Sequence, residues 1–281
     1  MVFSNTSPHT SALSSLVFHT DWLAMSEYIL ETKNLVKEFR GFIAVKDVNL
    51  QVKRGTIHAL IGPNGAGKTT CFNLLTKFLT PTSGKIFLND HEITHEKPTQ
   101  IARRGVIRSF QISAVFPQLT VLENVRIGLQ RATGLSYHFW RSDKILRNLN
   151  GKALDLLKQV DLGEYANELT VNLPYGRKRA LEIATTLAME PELMLLDEPT
   201  QGMGHEDVSR VTDLIKKVSV GRTILMVEHN MKVVSQIADK ITVLARGAVL
   251  AEGTYQEVSS NAGVMEAYMG TTTGELEGAH G

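Results

Sequence analysis

Cysteine is nearly absent from this 281-residue sequence: Cys71 is the only one, so a disulfide framework within the chain is excluded. Long apolar runs are absent too, since stretches such as residues 193–196 fall well short of the roughly 18–20 residues that a membrane-spanning helix needs. Neither sign of charge is in excess, because 30 Lys and Arg face 29 Asp and Glu, and no basic field favours nucleic acid as a partner. If the protein serves a membrane, we therefore expect it to act at the membrane surface through a partner protein. The single cysteine is compatible with a reducing compartment.

Residues 1–24 differ in kind from the rest of the chain, being rich in Ser and Thr and free of Lys and Arg. A secretory signal peptide would need a basic start and a longer apolar segment than residues 13–18 provide. We expect residues 1–27 to be a disordered extension, or to lie partly upstream of a true start at Met25. Residues 266–281 are predicted to form a polar tail, which leaves residues 28–265 as the folded domain.

Hydrophobic patterning divides that domain into three regions. Short alternating segments rich in β-branched residues between residues 28 and 52 predict antiparallel strands. Leucines at helical spacing predict a helical subdomain inserted at about residues 112–180. The remainder alternates apolar strands with helices, which is typical of an α/β fold with a parallel sheet and crossover helices. The expected strands are Ile57–Ile61, Leu193–Asp197, Thr223–Val227 and Ile241–Ala245, and the expected helices are Thr69–Leu79, Asp207–Val218 and Met231–Ile237.

A glycine-rich loop follows the first of these core strands. Residues Gly62-Pro63-Asn64-Gly65-Ala66-Gly67-Lys68-Thr69 fit the phosphate-binding pattern G-x-x-x-x-G-K-[ST] (the P-loop) between a strand and a helix. Glycines let consecutive backbone N–H groups face a phosphate, and the helix N-terminus adds partial positive charge. Lys68 would reach the β- and γ-phosphates and the Thr69 hydroxyl would ligate Mg²⁺. The alternative is a glycine turn with an incidental lysine.

Two carboxylates, Asp197 and Glu198, end the apolar strand that starts at Leu193. In a P-loop fold this strand lies close to the loop-bearing one, so that its end meets the phosphates. Asp197 would hold the hydration shell of Mg²⁺, and Glu198 would accept a proton from the attacking water. Without a P-loop, such a pair is more often a helix cap or part of a solvated loop.

Beyond these motifs, the chain resembles the ATP-binding cassette (ABC) family of ATPases over about residues 28–255. Phe39 stands where the family has an aromatic residue that stacks on adenine, Gln111 closes an Arg-Ser-Phe-Gln segment like the glutamine loop, and His229 stands like the switch histidine. Leu173-Pro174-Tyr175-Gly176-Arg177 occupies the place of the family's signature segment. Taken alone, each of these residues would more often be an ordinary surface or core residue than part of a nucleotide site. The resemblance rests on their order and spacing together.

The resemblance implies a P-loop ATPase fold with a mixed central sheet, an N-terminal antiparallel β subdomain and an inserted helical subdomain. It implies ATP and Mg²⁺ as the bound species. The residues implied in catalysis are Glu198, His229, Lys68 and Gln111, and those implied in holding Mg²⁺ are Thr69, Gln111 and Asp197. The residues implied in nucleotide contact are Phe39, Gly62, Pro63, Asn64, Gly65, Ala66, Gly67, Lys68, Thr69, Thr70, Pro174, Tyr175 and Gly176.

Within the family, the chain looks like the larger ATPase subunit of branched-chain amino-acid importers. The carrying segments are Arg-Ser-Phe-Gln, Phe116-Pro117, Leu119-Thr120-Val121 and Arg179-Ala180-Leu181-Glu182-Ile183, together with the Leu-x-Tyr-Gly signature. The resemblance implies transmembrane permease subunits and a second ATPase subunit as partners, and indirectly a periplasmic or extracellular solute-binding protein. It places the chain peripherally at the cytoplasmic face of the inner membrane. Residues 112–116 are predicted to form part of the groove that receives a permease helix, with ordinary packing in the helical lobe as the alternative.

The signature segment departs from the family pattern Leu-Ser-Gly-Gly-Gln at three positions. Pro174 replaces a serine whose hydroxyl donates to the γ-phosphate bound by the opposite subunit, Tyr175 replaces a glycine, and Arg177 replaces a glutamine. Gly204 also stands where the family's dimer-contact loop usually has Asp or Asn. We expect the ATP site completed by this signature to be weakened, with Arg177 supplying some charge, whereas the chain's own catalytic half is complete. Pro174 is also simply favourable at a first helical turn.

Other functions of the same fold remain as rivals to amino-acid import. One is an ATPase that energises export of a lipid or glycolipid. A neighbouring gene for a periplasmic binding protein would favour import, and one for a bridge protein would favour export. Another is a soluble non-transport ABC ATPase of DNA repair, which would need a long coiled coil between the halves of the fold. The sequence has no such segment, it has one cassette where a translation factor of the family would carry two, and no kinase lid or acceptor site is legible.

Overall fold

A computed structural model describes residues 26–109, 115–132 and 148–268. The N-terminal part forms an antiparallel sheet of five strands in the order β2-β1-β5-β6, with β3 paired to β1. In β3, the exposed Gln51, buried Val52 and exposed Lys53 alternate, as expected for a strand with one face on the core. The strands are β1 (Tyr28–Phe39), β2 (Phe42–Val48), β3 (Gln51–Lys53), β5 (Ser83–Leu88) and β6 (His91–Glu92).

The central sheet has six strands in the order β11-β10-β4-β9-β8-β7. Every neighbouring pair from β10 to β7 is parallel, and β11 is antiparallel to β10. The sheet is therefore mixed, as expected, and the carboxyl ends of its parallel strands meet at one edge. Its strands are β4 (Ile57–Ile61), β7 (Val106–Ser109), β8 (Leu193–Asp197), β9 (Thr223–Val227), β10 (Lys240–Ala245) and β11 (Ala248–Gly253).

Both faces of the central sheet are covered, so β4, β8 and β9 are buried at every residue and are mostly apolar, each with one polar residue. Successive residues of β8 point to opposite faces: Leu195 packs under the antiparallel sheet, and Met194 and Leu196 pack against helices. Helices lie between these strands in the chain. They are α1 (Lys68–Leu75), α2 (Pro98–Arg103), α3 (Val121–Ala132), α4 (Asn150–Gln159), α5 (Tyr175–Ala188), α6 (His205–Val218), α7 (Met231–Ile237) and α8 (Tyr255–Ser259).

Helix α1 is shorter than its apolar spacing predicted, ending at Leu75 instead of Leu79. The Thr76 hydroxyl donates a hydrogen bond back to the Phe72 carbonyl at 2.8 Å, and Lys77 then takes a left-handed conformation with φ 63°. Phe78 consequently leaves the helix and is 55% exposed. A hydroxyl bonded to its own helix and one left-handed residue are enough to stop the helix despite favourable spacing.

The C-terminal part contributes to the core beyond the predicted start of the tail at residue 266. Residues 262–268 form a last helix, in which Val264 is buried and Tyr268 packs against the core cluster on the helical side of the central sheet. The predicted helical subdomain is represented by α3, α4 and the start of α5 within the described residues. None of the helices in the described ranges combines the length and hydropathy that crossing a bilayer requires.

Candidate functional site

The glycine-rich loop leaves the carboxyl end of β4 and runs directly into α1. Gly62 lies so close to β10 that a Cβ on it would sit 2.1 Å from the Leu244 carbonyl oxygen. Gly67 has φ 98°, and a Cβ there would sit 2.4 Å from the Ala44 carbonyl oxygen. Side chains at these two positions would collide with backbone, so glycine is required for the loop to fit between β10 and β2.

Lys68 is folded over this loop and is only 7% exposed. Its ammonium group donates hydrogen bonds to the carbonyl oxygens of Gly62 at 2.6 Å and Pro63 at 3.0 Å. Burial lowers the pKa of Lys68, while the nearby Glu198 carboxylate acts in the opposite direction and raises it. The P-loop follows β4 and Glu198 follows β8 in the same sheet, so both lie at the edge where the parallel strands end. Thr69 and Thr70 follow in the first turn of α1, with Thr69 exposed.

Asp197 ends β8 and is almost completely buried. Its carboxylate forms an ion pair with Arg108 of β7, and Arg108 also donates a hydrogen bond to the Asn73 side chain of α1 at 2.6 Å. Glu198 follows in a left-handed conformation with φ 45°, fixed by the hydrogen bond from its N–H to the Val227 carbonyl at 2.9 Å.

His229 lies two residues beyond the end of β9, the strand between β4 and β8, with its side chain 53% exposed. The preceding Glu228 is fully buried and was given no role by the sequence reasoning. One Glu228 oxygen accepts hydrogen bonds from the N–H groups of His229 at 2.7 Å and Asn230 at 2.9 Å. The other accepts from the N–H and the hydroxyl of Thr200. The only signal in the sequence was an acidic residue directly before the histidine, at the end of an apolar strand.

A second set of residues missed from the sequence anchors the backbone around Asp197. Arg179 of α5 is buried and donates to the carbonyl oxygens of Asp197 and Pro199, both at 3.2 Å. Its guanidinium also pairs with the buried Glu182 carboxylate at 2.5 Å. The sequence reasoning used this segment as a subfamily marker only, yet its side chains hold the strand end in place.

The signature segment opens helix α5. Pro174 precedes the first helical residue, and Tyr175 is half exposed, with its hydroxyl donating to the Gln201 carbonyl at 3.4 Å. Gly176 packs against α6, where a Cβ would lie 2.6 Å from an Asp207 carboxylate oxygen. The Arg177 guanidinium lies 4.0 Å from the centre of the Tyr165 ring, so it stacks on its own chain. The expectation that Arg177 adds charge to an opposite ATP site therefore gains no support from this geometry.

Phe39 is within the described structure, whereas Gln111 is not. Phe39 ends β1 opposite Phe42 of β2, is 41% exposed, and has the Lys37 ammonium 5.0 Å from its ring centre. The same β1–β2 hairpin reaches the P-loop through Ala44, whose carbonyl faces Gly67. Gln111 lies outside the described residues, so its predicted role stays a prediction.

Comparison with known proteins agrees with this geometry. The family model "ABC transporter" matches residues 45–201, and the model "Branched-chain amino acid ATP-binding cassette transporter" matches residues 248–272. The chain is 40% identical to the high-affinity branched-chain amino acid transport ATP-binding protein LivG of Escherichia coli K12, with 88% of this chain and 99% of LivG covered. It is 39% identical to the corresponding protein BraF of Pseudomonas aeruginosa, with the same coverage.

Solved structures of ABC cassettes share the fold. An ATP-binding cassette of an ABC transporter in its ADP conformation superimposes with a TM-score of 0.77 and 29% identity, over 87% of this chain and all of that one. A dimeric cassette in a post-hydrolysis state, bound to ADP and phosphate, gives a TM-score of 0.67 and 27% identity, over 80% of this chain and 98% of that one. With the P-loop, Asp197 and Glu198 at one sheet edge, the chain belongs to the ABC transporter family, as an ATP-binding and ATP-hydrolysing subunit.

Proposed function

We propose that this subunit energises the uptake of branched-chain amino acids or related small solutes through a membrane permease. The named relatives LivG and BraF, which are transport proteins for branched-chain amino acids, support this substrate class. The match of a branched-chain amino acid family model to the C-terminal residues 248–272 supports it independently of the ATPase motifs. The observation that carries the ATPase part of the proposal is that the P-loop after β4 and the carboxylates of Asp197 and Glu198 at the end of β8 lie at one edge of the central sheet.

The residues at the loop fit Mg²⁺ as the metal bound together with ATP. Mg²⁺ prefers oxygen ligands and is usually held by one or two protein groups plus substrate phosphates. Thr69 offers a hydroxyl at the helix start, and Asp197 offers a carboxylate at the neighbouring strand end. No cluster of three His, Cys, Asp or Glu suited to a metal occurs among the described residues. Bound there, Mg²⁺ would neutralise charge on the β- and γ-phosphates.

Four residues would perform the hydrolysis. Lys68 would exchange its two carbonyl partners for phosphate oxygens, because a charged acceptor makes the stronger hydrogen bond. Glu198 would orient the attacking water and take its proton, and His229 would stabilise the developing charge at the γ-phosphate. Gln111 would complete the metal site, as the family resemblance implies. Within the described residues, Lys68, Glu198 and His229 follow three different strands, β4, β8 and β9, at the same sheet edge.

The variant Glu198→Gln tests this assignment, since an amide cannot accept the proton. Turnover should fall by roughly 10²–10⁴-fold while ATP still binds. Glu190→Gln is a matched control, because Glu190 also has a left-handed backbone but lies on the surface in an ion pair with Lys152. Full hydrolysis by the Glu198 variant would show that another group is the base and would sink this part of the proposal.

A groove beside the catalytic edge would receive the permease. A cavity of about 760 Å³ opens between β7 and the helices α3 and α5. Phe78, Phe116 and Ile127 line it and are exposed, although side chains of this size are usually buried. Phe116 belongs to the segment 112–116 that was predicted to form this groove, and residues 112–114 lie outside the described residues. An apolar face of a permease helix would fill the groove.

The remaining partners follow from the same proposal. Two ATPase subunits would enclose two ATP molecules, each between one P-loop and the facing signature, so hydrolysis would be gated by closure of the pair. A solute-binding protein outside the membrane would deliver the amino acid, and the chain would lie on the cytoplasmic face. Co-purification with the products of neighbouring genes, followed by radiolabelled leucine uptake into vesicles, tests these partners. A complex that moves lipid and no amino acid would overturn the substrate class.

A further inference from the structure

Arg108 occupies a position that the mechanism described above does not use. It is the third residue of β7, and its side chain is only 10% exposed. One terminal nitrogen of its guanidinium pairs with the Asp197 carboxylate, and the other donates to the Asn73 side-chain oxygen at 2.6 Å. The guanidinium carbon also lies 5.7 Å from the centre of the Phe72 ring. Its planar fork therefore contacts β8 at one end and α1 at the other.

This bridge joins the two elements that carry the proposed metal ligands. Asn73 lies four residues after Thr69 on α1, so the two side chains share one face of the helix. Asp197 is the last residue of β8. A guanidinium presents its donors in a rigid plane, whereas a lysine would supply a single point charge. Arg108 thus links the helix bearing Thr69 to the carboxylate of Asp197.

The spacing matters because Mg²⁺ requires a nearly ideal octahedron with ligands about 2.0–2.1 Å away. Groups that orient metal ligands typically change metal affinity by about 10–100-fold when they are removed. We infer that Arg108 is a positioning residue that sets the distance between Thr69 and Asp197, and thereby the contribution of Mg²⁺ to nucleotide affinity. The inference rests on the proposed placement of Mg²⁺ at these two residues.

The test measures the dissociation constant of a fluorescent, non-hydrolysable ATP analogue with Mg²⁺ and with EDTA. The quantity of interest is the dissociation constant in EDTA divided by the dissociation constant in Mg²⁺, because this ratio measures how much Mg²⁺ strengthens nucleotide binding. Arg108→Gln removes the charge, and Arg108→Lys keeps the charge but cannot span both partners. Both variants should lower the ratio by roughly tenfold while leaving the metal-free constant unchanged. Arg104→Gln is the control, because Arg104 lies nearby on the surface in an ion pair with Glu96 and should keep the full ratio.

Several results would overturn the inference. An unchanged ratio in both Arg108 variants would remove it and leave the proposed function standing. Equal weakening with and without metal would mark Arg108 as merely structural, and a larger ratio would mark it as a competitor of Mg²⁺ for Asp197. A wild-type protein without any Mg²⁺ dependence would defeat both proposals together. Asn73→Ala breaks the bridge at its other end, keeps Arg108 on Asp197, and should lower the ratio if the Arg108 variants do not fold.

Discussion

The Glu228 carboxylate accepts hydrogen bonds from both the backbone N–H and the hydroxyl of Thr200, a residue 28 positions earlier in the chain. Thr200 lies two residues after Glu198, and Glu228 immediately precedes His229. The contact therefore ties the loop after the proposed catalytic base to the loop that carries the proposed switch histidine. Because Glu228 also accepts two N–H groups from its own loop, its four acceptor positions are used by four donors.

The variant Glu228→Gln should be strongly impaired. In glutamine, an NH₂ group replaces one of the two acceptor oxygens. Whichever way the amide turned, this NH₂ group would face either the two donors of Thr200 or the N–H groups of His229 and Asn230. Since a hydrogen bond to a charged group is worth about 1.5–3 kcal/mol, we expect the free energy of unfolding to fall by about 3 kcal/mol, measured by urea denaturation. ATP turnover should fall as well, because His229 loses its fixed backbone. Wild-type stability in this variant would show that the carboxylate is not required.

Replacement of Pro174 by Ser should raise the ATPase rate of the assembled complex. A serine hydroxyl would donate to the γ-phosphate bound by the facing subunit, and such a bond is worth about 1.5–3 kcal/mol, or roughly tenfold to a hundredfold in rate. Folding should be unaffected, because Pro174 stands at the N-cap of α5, where Ser is favourable. The rate is measured in the purified transporter with its permease present. No change in that rate would end the idea that this signature weakens the opposite site.

Protein stability should fall in acid partly through His58. Burial lowers the pKa of His58 from 6.5 to about 4, with Glu252 opposing the shift and Lys240 adding to it. Between pH 6.5 and pH 4, His58 is therefore protonated in the unfolded chain but mostly neutral in the folded chain. The stabilisation is fully present above pH 6.5 and is lost as the pH falls towards 4, by about 3 kcal/mol in all.

The variant His58→Gln should flatten the pH dependence of the unfolding free energy between about pH 6.5 and pH 4.5. Glutamine retains an N–H for the Thr242 hydroxyl, which His58 contacts at 2.8 Å. His95→Gln is the control, since His95 is exposed and its replacement should leave the slope unchanged. Identical slopes in the wild type and both variants would exclude His58 as the source.

Cys71 provides a probe of the P-loop helix. Burial raises the pKa of its thiol to about 12, so the thiolate is scarce at neutral pH and the side chain is out of reach of reagents. Labelling by iodoacetamide should be slow in the native protein and rapid in denaturant. ATP at about 100 times its dissociation constant should slow labelling about a hundredfold, because opening of α1 releases the nucleotide. Rapid labelling of the folded protein at any ATP concentration would contradict the buried placement.

Local patterns were sufficient for much of the fold. The predicted strands Ile57–Ile61, Leu193–Asp197 and Thr223–Val227 and the helix Met231–Ile237 have the predicted bounds. Fully buried strands read as short apolar runs because both their faces are covered, and this information lies within each segment. The end of α1 was misplaced because it depends on a hydroxyl hydrogen bond and a left-handed Lys77, which apolar spacing does not record.

Polar contacts between distant segments could not be predicted in the same way. Arg108 and Asp197 are 89 residues apart in the chain, and the local sequence around each residue does not identify the other as its partner. Their meeting depends on the pairing of β7 with β8, in which Arg108 lies opposite Leu195. Arg179 likewise reaches the carbonyl oxygens of Asp197 and Pro199, at the end of β8, only because α5 packs beside that strand end. A side chain that serves another segment's backbone leaves no periodic signal in its own segment.

The sequence by itself determined the chemistry at the loop, because a glycine pattern, one lysine and one hydroxyl in fixed order allow few uses besides phosphate binding. It also determined that two carboxylates would end a buried strand. Only the tertiary structure decided that β9 lies between β4 and β8, and that Arg108 and Glu228 hold the two sides of the site. The physical reason is that burial periodicity is a local property, whereas the partner of a buried charge is chosen by strand order and helix packing.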